Sequence, residues 1–423
     1  MKRDLELLRE LAKEYAVCAL DGRSAGRKEL YRAHNALEIV RPPVLIFEVP
    51  WGEFDGDPEL ALQCEAPHYR AIEGDLRRQL FQFRHFEGEY AVHDYWRSGV
   101  ALDDSGDGLE ESEDVIHSDT GTYIMSHSYH DCIPDAETFL RQIRTPVITL
   151  DRDQTDRRLT LADEVFHGIL PVKKAGITLY LTAWDKLARH HGVENCLIDL
   201  VDDPEYAHLM VSRFTDNMIA RMKQYEALNV LDTDPLYLHC TPAATRELPV
   251  KDMDKDDIKL KDVWARSMAQ IFSAVSPAMH DEFDLQYAQK MFDLCGLSYY
   301  GCCEPLDTKI DRLRRFSNLR RISITAWADV DRAAEQIGGD YVLSYKPNPA
   351  FVAMPVFDPE PVRQEIRHVL DACLRYGTPC EFVLKDISTT AKRSANLTAW
   401  MDTVQSVIDE SFPRNSFAGG SQR

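Results

Sequence analysis

Short apolar runs alternating with helical stripes dominate the second half of the chain. Four runs, 297–301 (LSYYG), 321–325 (RISIT), 341–345 (YVLSY) and 380–384 (CEFVL), have the length and side chains of strands buried on both faces. Between the second and third, a helix is predicted from about Asp329 to Ile337, ended by Gly338. Between the third and fourth, Asp358-Pro359 opens a helix striped by Val362, Ile366, Val369, Leu370 and Cys373 and stopped at Gly377. Upstream, Asp203-Pro204 opens a helix with Ala207, Met210, Val211, Phe214 and Met218 at helical spacing, and Ser276-Pro277 opens another, closed by Gly296. Val44–Glu48, ahead of Pro50 and Trp51, suits a first strand, and the residues before it read as helices.

Strand–helix–strand order with strands buried on both faces predicts a parallel sheet. No Gly-rich phosphate turn follows an early strand, so an open dinucleotide-binding sheet is disfavoured and a closed (β/α)8 barrel preferred. The expected organisation is an N-terminal helical extension over residues 1–40, the barrel over 41–412 and a disordered tail over 413–423. The acidic stretch 103–120 carries Asp103, Ser105, Asp107 and Gly108, the opening of a calcium loop. Asp114 replaces the bidentate glutamate, however, and a solvated loop is the simpler expectation.

Composition narrows the classes. The 423 residues include 70 acidic and 49 basic side chains, a formal net charge of −21, which repels nucleic acid and anionic membrane faces. The start, MKRDLELLRELAKEYAVCAL, puts acids where a secretory leader needs an apolar run, so a cytoplasmic location is expected. Ten scattered cysteines lack the regular spacing of a disulfide scaffold.

In such a barrel the residues just after each strand converge on one face. Reading them off gives Cys302, Cys303 and Glu304; then Trp327, Asp329 and Asp331; then Lys346 and Asn348, each followed by proline; then Lys385 and Asp386. Thiolates and carboxylates on neighbouring strands are the donors a zinc ion takes. Plainer roles compete: the paired cysteines can be packing residues, Asp329 can be a helix N-cap, Lys346 can be a surface lysine. His239-Cys240, after the run LYL, reads more readily as structural than as a ligand pair. Trp51, Trp184 and Trp327 can line a pocket or fill core.

The segments SPAMHDEFDLQYAQKMFDLCG, YYGCCEPL, LRRISITAWADVDRAAEQIG, YVLSYKPNP and EFVLKDIST, with RPPVLIFEVPW (41–51) and AWDKLARHHGVEN (183–195) upstream, resemble the uroporphyrinogen decarboxylase-like superfamily. The similarity is to its branch of corrinoid (cobalamin)-dependent methyltransferases. It spans nearly the whole chain and is most specific between 260 and 390. It implies a (β/α)8 TIM barrel of the uroporphyrinogen decarboxylase/methionine synthase-like type. True decarboxylases carry an arginine-rich RPAWxMRQAGR motif after the first strand. This chain has RPPVLIFEVPWGEF there, with Glu48 and Glu53, which would repel a poly-acid substrate.

The methyltransferase relatives bind zinc through His-x-Cys on one strand and a cysteine at a later strand end. By strand order, YYGCC stands at the first place and VLKD at the second. The chain thus keeps a cysteine (302 or 303), lacks the histidine, and has Asp386 for the later cysteine; His239-Cys240 falls on an earlier segment and does not match.

The resemblance implies methyl transfer between a small O-, N- or S-methylated substrate and a corrinoid. The chain has no Asp-x-His-x-x-Gly cobalamin signature, so the corrinoid is expected on a partner protein. Cys302, Cys303, Glu304, Asp329 and Asp386 are the expected metal donors; Glu48, Lys346 and Asp386 the catalytic groups; Trp51, Asn348 and Trp327 the substrate contacts. The alternative is a metal-free lyase acting on a small carboxylic acid, and a non-catalytic barrel with a closed mouth is a third reading. The sequence leaves oligomeric state open, a homodimer included.

Overall fold

The structure, a computed structural model, describes residues 2–117 and 125–413. Seven strands form one parallel sheet: β1 (Val44–Ile46), β2 (Leu179–Tyr180), β3 (Trp264–Ser267), β4 (Leu297–Tyr300), β5 (Leu319–Thr325), β6 (Val342–Lys346) and β7 (Cys380–Leu384). Their spatial order is β1-β7-β6-β5-β4-β3-β2, which places the first strand beside the last and curls the sheet toward a barrel. Side chains of β4, β6 and β7 are buried throughout, because helices cover one face and the barrel interior fills the other. The predicted strands at 297–301, 321–325, 341–345 and 380–384 each coincide with one of these within one or two residues.

The helices follow their sequence signals. Asp329 caps Val330–Ile337 by accepting from the Arg332 N–H, and Pro359–Tyr376 buries the predicted stripe before Gly377 turns left-handed at φ 67°. Pro204–Ala227 is continuous, with Asp203 capping it. The helix from Pro277 ends at Phe292, before Gly296, and a π-helical turn at Asp281–Leu285 interrupts it. Among the described residues, no helix is long and apolar enough to cross a membrane.

An eighth ladder strand is not found among the described residues. Where the LYL run suggested regular structure, residues 230–243 make only a bridge from Leu231 to Ile177 and another between Tyr237 and Pro242. Pro235 and Pro242 remove donors, and positive φ at Asn229, His239 and Cys240 breaks the extended path. The segment instead enters the barrel, where Cys240 packs with Leu45 of β1 and Val383 of β7.

The N-terminal helices are Lys2–Leu20 and Arg23–Asn35. The first packs on Pro67–His85 and Arg152–Phe166 around a second apolar cluster that includes Leu8, Leu76, Trp96 and Phe166. The acidic stretch contains strands rather than a bare loop: Leu102–Asp104 pairs with Ile148–Leu150, and Glu113–His117 with Met125–Tyr129. Asp104 and Asp107 face the guanidinium of Arg221 at 2.7 and 2.8 Å, so a side-chain cation occupies the place suggested for calcium. Residues 118–120 of that stretch, and 414–423 of the expected tail, lie outside the described residues.

One ion pair ties the interior together. Arg321 of β5 and Glu381 of β7 are wholly buried and 2.7 Å apart. Arg321 also donates to Asn35 Oδ1, Thr241 Oγ1 and His34 Nδ1. Burial, and then the Arg321 charge, press His34 down to about 3, so its imidazole is neutral and free to accept. Glu381 accepts the hydroxyls of Thr241 and Ser344. Burial opposes its charge, but Arg321, Lys346 and His34 hold it below the usual carboxylate range. Arg321→Met strands a buried carboxylate and is expected to cost ~3–5 kcal/mol in urea unfolding; a loss under ~1 kcal/mol, as for a surface pair, would show that the pair is not an anchor.

Candidate active site at the strand ends

The register of the closing strands builds the site. Ile46 of β1 pairs with Leu384 of β7, so two residues further on Glu48 and Asp386 stand side by side beyond the ladder. The Asp386 backbone N–H donates to Glu48 Oε2 at 2.9 Å, and Lys385 Nζ lies 2.7 Å from Asp386 and 3.8 Å from Glu48. β4 delivers Cys302 and Cys303 to the same mouth: Cys303 Sγ donates to Asp386 Oδ2 at 3.0 Å and lies 3.4 Å from Cys302 Sγ.

The turn Leu238–Thr241 brings a second pair. Leu238 N–H donates to Thr241 O, and the two corner residues, His239 and Cys240, have φ 29° and 60°. Two consecutive positive φ values mark the primed turns that normally require Asn or Gly. The turn is held from inside the barrel: Lys346 Nζ, itself buried, donates to Cys240 O at 3.1 Å and to Ser344 Oγ at 2.6 Å, while Thr241 is gripped by Arg321 and Glu381. His239 Nε2 stands 3.6 Å from Glu48 Oε1 and 3.7 Å from Cys302 Sγ, and Cys240 Sγ donates to Glu48 Oε1 at 3.6 Å.

Glu48, His239 and Cys240 each offer one ligand atom, all within 4.8 Å of one another. Tetrahedral zinc with bonds of about 2.0–2.3 Å places its donors roughly 3.3–3.8 Å apart, which matches the 3.6–3.7 Å separations around His239 and Glu48. The donor set therefore fits zinc, with Cys302 adjoining as a further thiol.

Charge within the cluster is balanced locally. Cys302 is the thiol that ionises: neighbouring Cys303 draws its pKa down most, burial opposes this, and His239, Lys385 and Arg266 assist. Burial works against the Lys385 charge, but Cys302, Glu48, Cys303 and Asp386 together hold it above the ordinary lysine range. Burial likewise opposes the Asp386 charge, and Lys385 and Cys303 outweigh it. Burial, then Glu48, pushes Cys240 up. Glu48, His239, Cys240 and Asp386 all hold positive φ without being glycine, at roughly 1–3 kcal/mol of strain each.

Of the sequence candidates, Glu48, Cys302, Cys303 and Asp386 come together. Glu304 does not join them: wholly buried, it accepts from the backbone N–H groups of Cys302 and Ala269 and so shapes the cysteine loop from beneath. Asp329 bonds its own helix start and the Arg332 guanidinium. Lys346 is interior rather than at the surface. Asn348 caps the turn Pro349–Val352 by accepting from Ala350 N–H. Trp327 is 72% exposed, and Trp51 packs on Phe54 and Phe81 under Arg78. Trp184 is fully buried core. Glu53 clamps the loop at Thr389, Thr390 and Lys392. Lys385, read off at a strand end but given no role, joins the site, and so do His239 and Cys240, which the sequence reading took as structural; the signal for these two was a His-Cys step between Pro235 and Pro242, a reversal without turn residues. A separate cavity of about 650 Å³, lined by Trp96, Arg97 and Arg158 among others, shares no residue with this cluster.

No protein-family model matches the sequence, and no curated protein is similar to it in sequence. Thirty solved chains match in structure. One is a methyltransferase from Methanosarcina mazei, 12% identical, with 91% of this chain and 98% of that chain covered and a TM-score of 0.48.

If the turn is strained to present its side chains, relief should stabilise it. His239→Gly is expected to raise the stability of the metal-free protein by about 1 kcal/mol in denaturant titration. A loss of stability would show that the imidazole holds the turn together rather than being held by it.

Proposed function

We propose that this chain is a methyltransferase that moves a methyl group between a small O-, N- or S-methylated substrate and a corrinoid carried by a partner protein. The observation that supports it is the convergence of three cysteines, His239, Glu48 and Asp386 on one mouth formed by the ends of parallel strands. The sequence resemblance to the corrinoid-dependent branch of the uroporphyrinogen decarboxylase-like superfamily points the same way, and with it to a (β/α)8 barrel of that type.

Zinc is the metal that fits these donors, with Glu48, His239, Cys240 and Cys302 as the residues that would hold it. When bound it would supply Lewis acidity toward the heteroatom that carries the methyl group. The chain's own residues prepare the setting. Lys385 offsets the anionic charge of the thiols and carboxylates, so that the mouth does not repel an electron-rich heteroatom. Cys303 donates to Asp386 across 3.0 Å and can supply the proton that the heteroatom takes up once its methyl group has left, solvent then restoring the thiol. Lys346 and Glu304 act at one remove, fixing the His-Cys turn and the cysteine loop from the interior. Asp329, Trp51, Trp327 and Asn348 have no part in this assignment.

A metal-free lyase acting on a small carboxylic acid is the second reading, supported by the Lys385–Asp386 pair, which can carry a proton at the mouth. The two readings separate cleanly. Elemental analysis of the purified protein is expected to find stoichiometric zinc, and reduced cobalamin to be methylated from a member of a panel of methoxylated or methylated compounds. His239→Ala is expected to weaken zinc by more than the ~10–100-fold typical of losing an outer-shell partner. Cys302→Ser with Cys303→Ser is expected to abolish transfer. A wild-type protein with neither metal nor transfer, or a double variant with undiminished activity, would retire the methyltransferase.

A further inference from the structure

The barrel interior holds two buried arginines with opposite circumstances. Arg321 has an acceptor at every turn, as described above. Arg266, on β3 and in register with Tyr299 of β4, is 1% exposed, and its one oxygen partner is the Tyr180 hydroxyl, with no carboxylate or carbonyl among its hydrogen-bond acceptors. Its Nη2 meets the Met268 thioether at 3.1 Å, and its Nε and Nη1 are buried without a partner. The Tyr299 hydroxyl beside it is also buried and unpartnered. Guanidinium groups carry five donors and no acceptor, and a buried one normally pairs with a carboxylate. Glu381, a carboxylate buried in the same interior, is already taken by Arg321.

The position of Arg266 is telling. Its Cζ lies 4.6 Å from the Tyr180 ring and 5.5 Å from the Tyr299 ring. Tyr180 stands at the end of β2, 41% exposed, with its ring 5.8 Å from that of His239. Tyr180 thus adjoins both the guanidinium and the His239 side of the mouth. With Nε and Nη1 free of partners, the planar guanidinium offers donors that suit a planar carboxylate better than a tetrahedral phosphate.

We infer that Arg266, with the Tyr299 hydroxyl, is the receptor for the carboxylate of a small anionic substrate, admitted when Tyr180 swings aside, so that the substrate's other end lies at the His239–Cys302 cluster. This names the substrate class of the site proposed above and rests on that reading only in calling the bound anion a substrate. Two buried donors without a partner are a cost in the empty protein, as functional groups often are, and the ligand removes it.

The test uses full-length protein stripped of metal and free of corrinoid. Calorimetric titration and thermal shift are run with acetate, methoxyacetate, benzoate and 4-methoxybenzoate, with the neutral amide of each, and with inorganic phosphate. At least one carboxylate is expected to saturate, its amide to bind at least about tenfold more weakly, and Arg266→Gln to lose the difference. Ligand-free Arg266→Gln and Arg266→Met are expected to unfold at the same or a higher temperature than wild type. The inference is overturned if no carboxylate saturates, if phosphate alone does, if Arg266→Gln binds as well as wild type, or if both variants melt lower or fail to fold. Carboxylate binding without any methyl transfer in the separate cobalamin assay would keep this inference and retire the reaction.

Discussion

The Arg321–Glu381 pair is the contact on which the arrangement of the mouth depends. It joins β5 to β7 over the intervening β6 and reaches, through Thr241, a segment that has almost no ladder bonds of its own. Without that grip the 230–243 segment would have little reason to enter the interior, since it lacks regular pairing. With it, the His-Cys turn is forced into a backbone conformation that neither residue favours. Strain at the rim and a fully satisfied ion pair beneath it are two sides of one design: the interior supplies the rigidity that the rim uses.

The same interior distributes charge unevenly. Arg321 and Glu381 neutralise each other with help from neutral His34, and Lys346 is spent on the carbonyl of Cys240. Lys385 answers the anions at the rim. Arg266 alone has no carboxylate or carbonyl partner among these groups. A protein with a net charge of −21 has carboxylates in excess, so an arginine left without one inside the barrel does not reflect scarcity.

Much of this was legible in the chain, for physical reasons that can be named. The strands at 297–300, 342–346 and 380–384 announced themselves because burial on both faces makes them largely apolar, interrupted only by Ser298, Ser344, Lys346 and Glu381. Since parallel strands all point one way, their following residues could be assigned to one mouth, and Cys303 and Asp386 meet there at 3.0 Å across 83 residues of sequence. Asp329 and Asn348 were less legible, because a local capping role and a place at the mouth predict the same residue types. His239 and Cys240 were noticed as a pair but read as structural. Their turn carries neither Asn nor Gly, and its position is dictated by Thr241 meeting Glu381 140 residues away, which no local pattern encodes. The accessory strands around 96–175 were hidden for a similar reason: they are short and form only two-stranded ribbons.

The adjacency of the first and last sheet strands has an implication for how the protein comes into being. Glu48 and Asp386 lie 338 residues apart in sequence, and the two are joined only once β7 docks on β1. A chain whose sheet has not closed therefore cannot assemble the ring of donors. Any ion or ligand that requires the complete ring must be acquired after closure, and its binding then favours the finished fold over every partly built one.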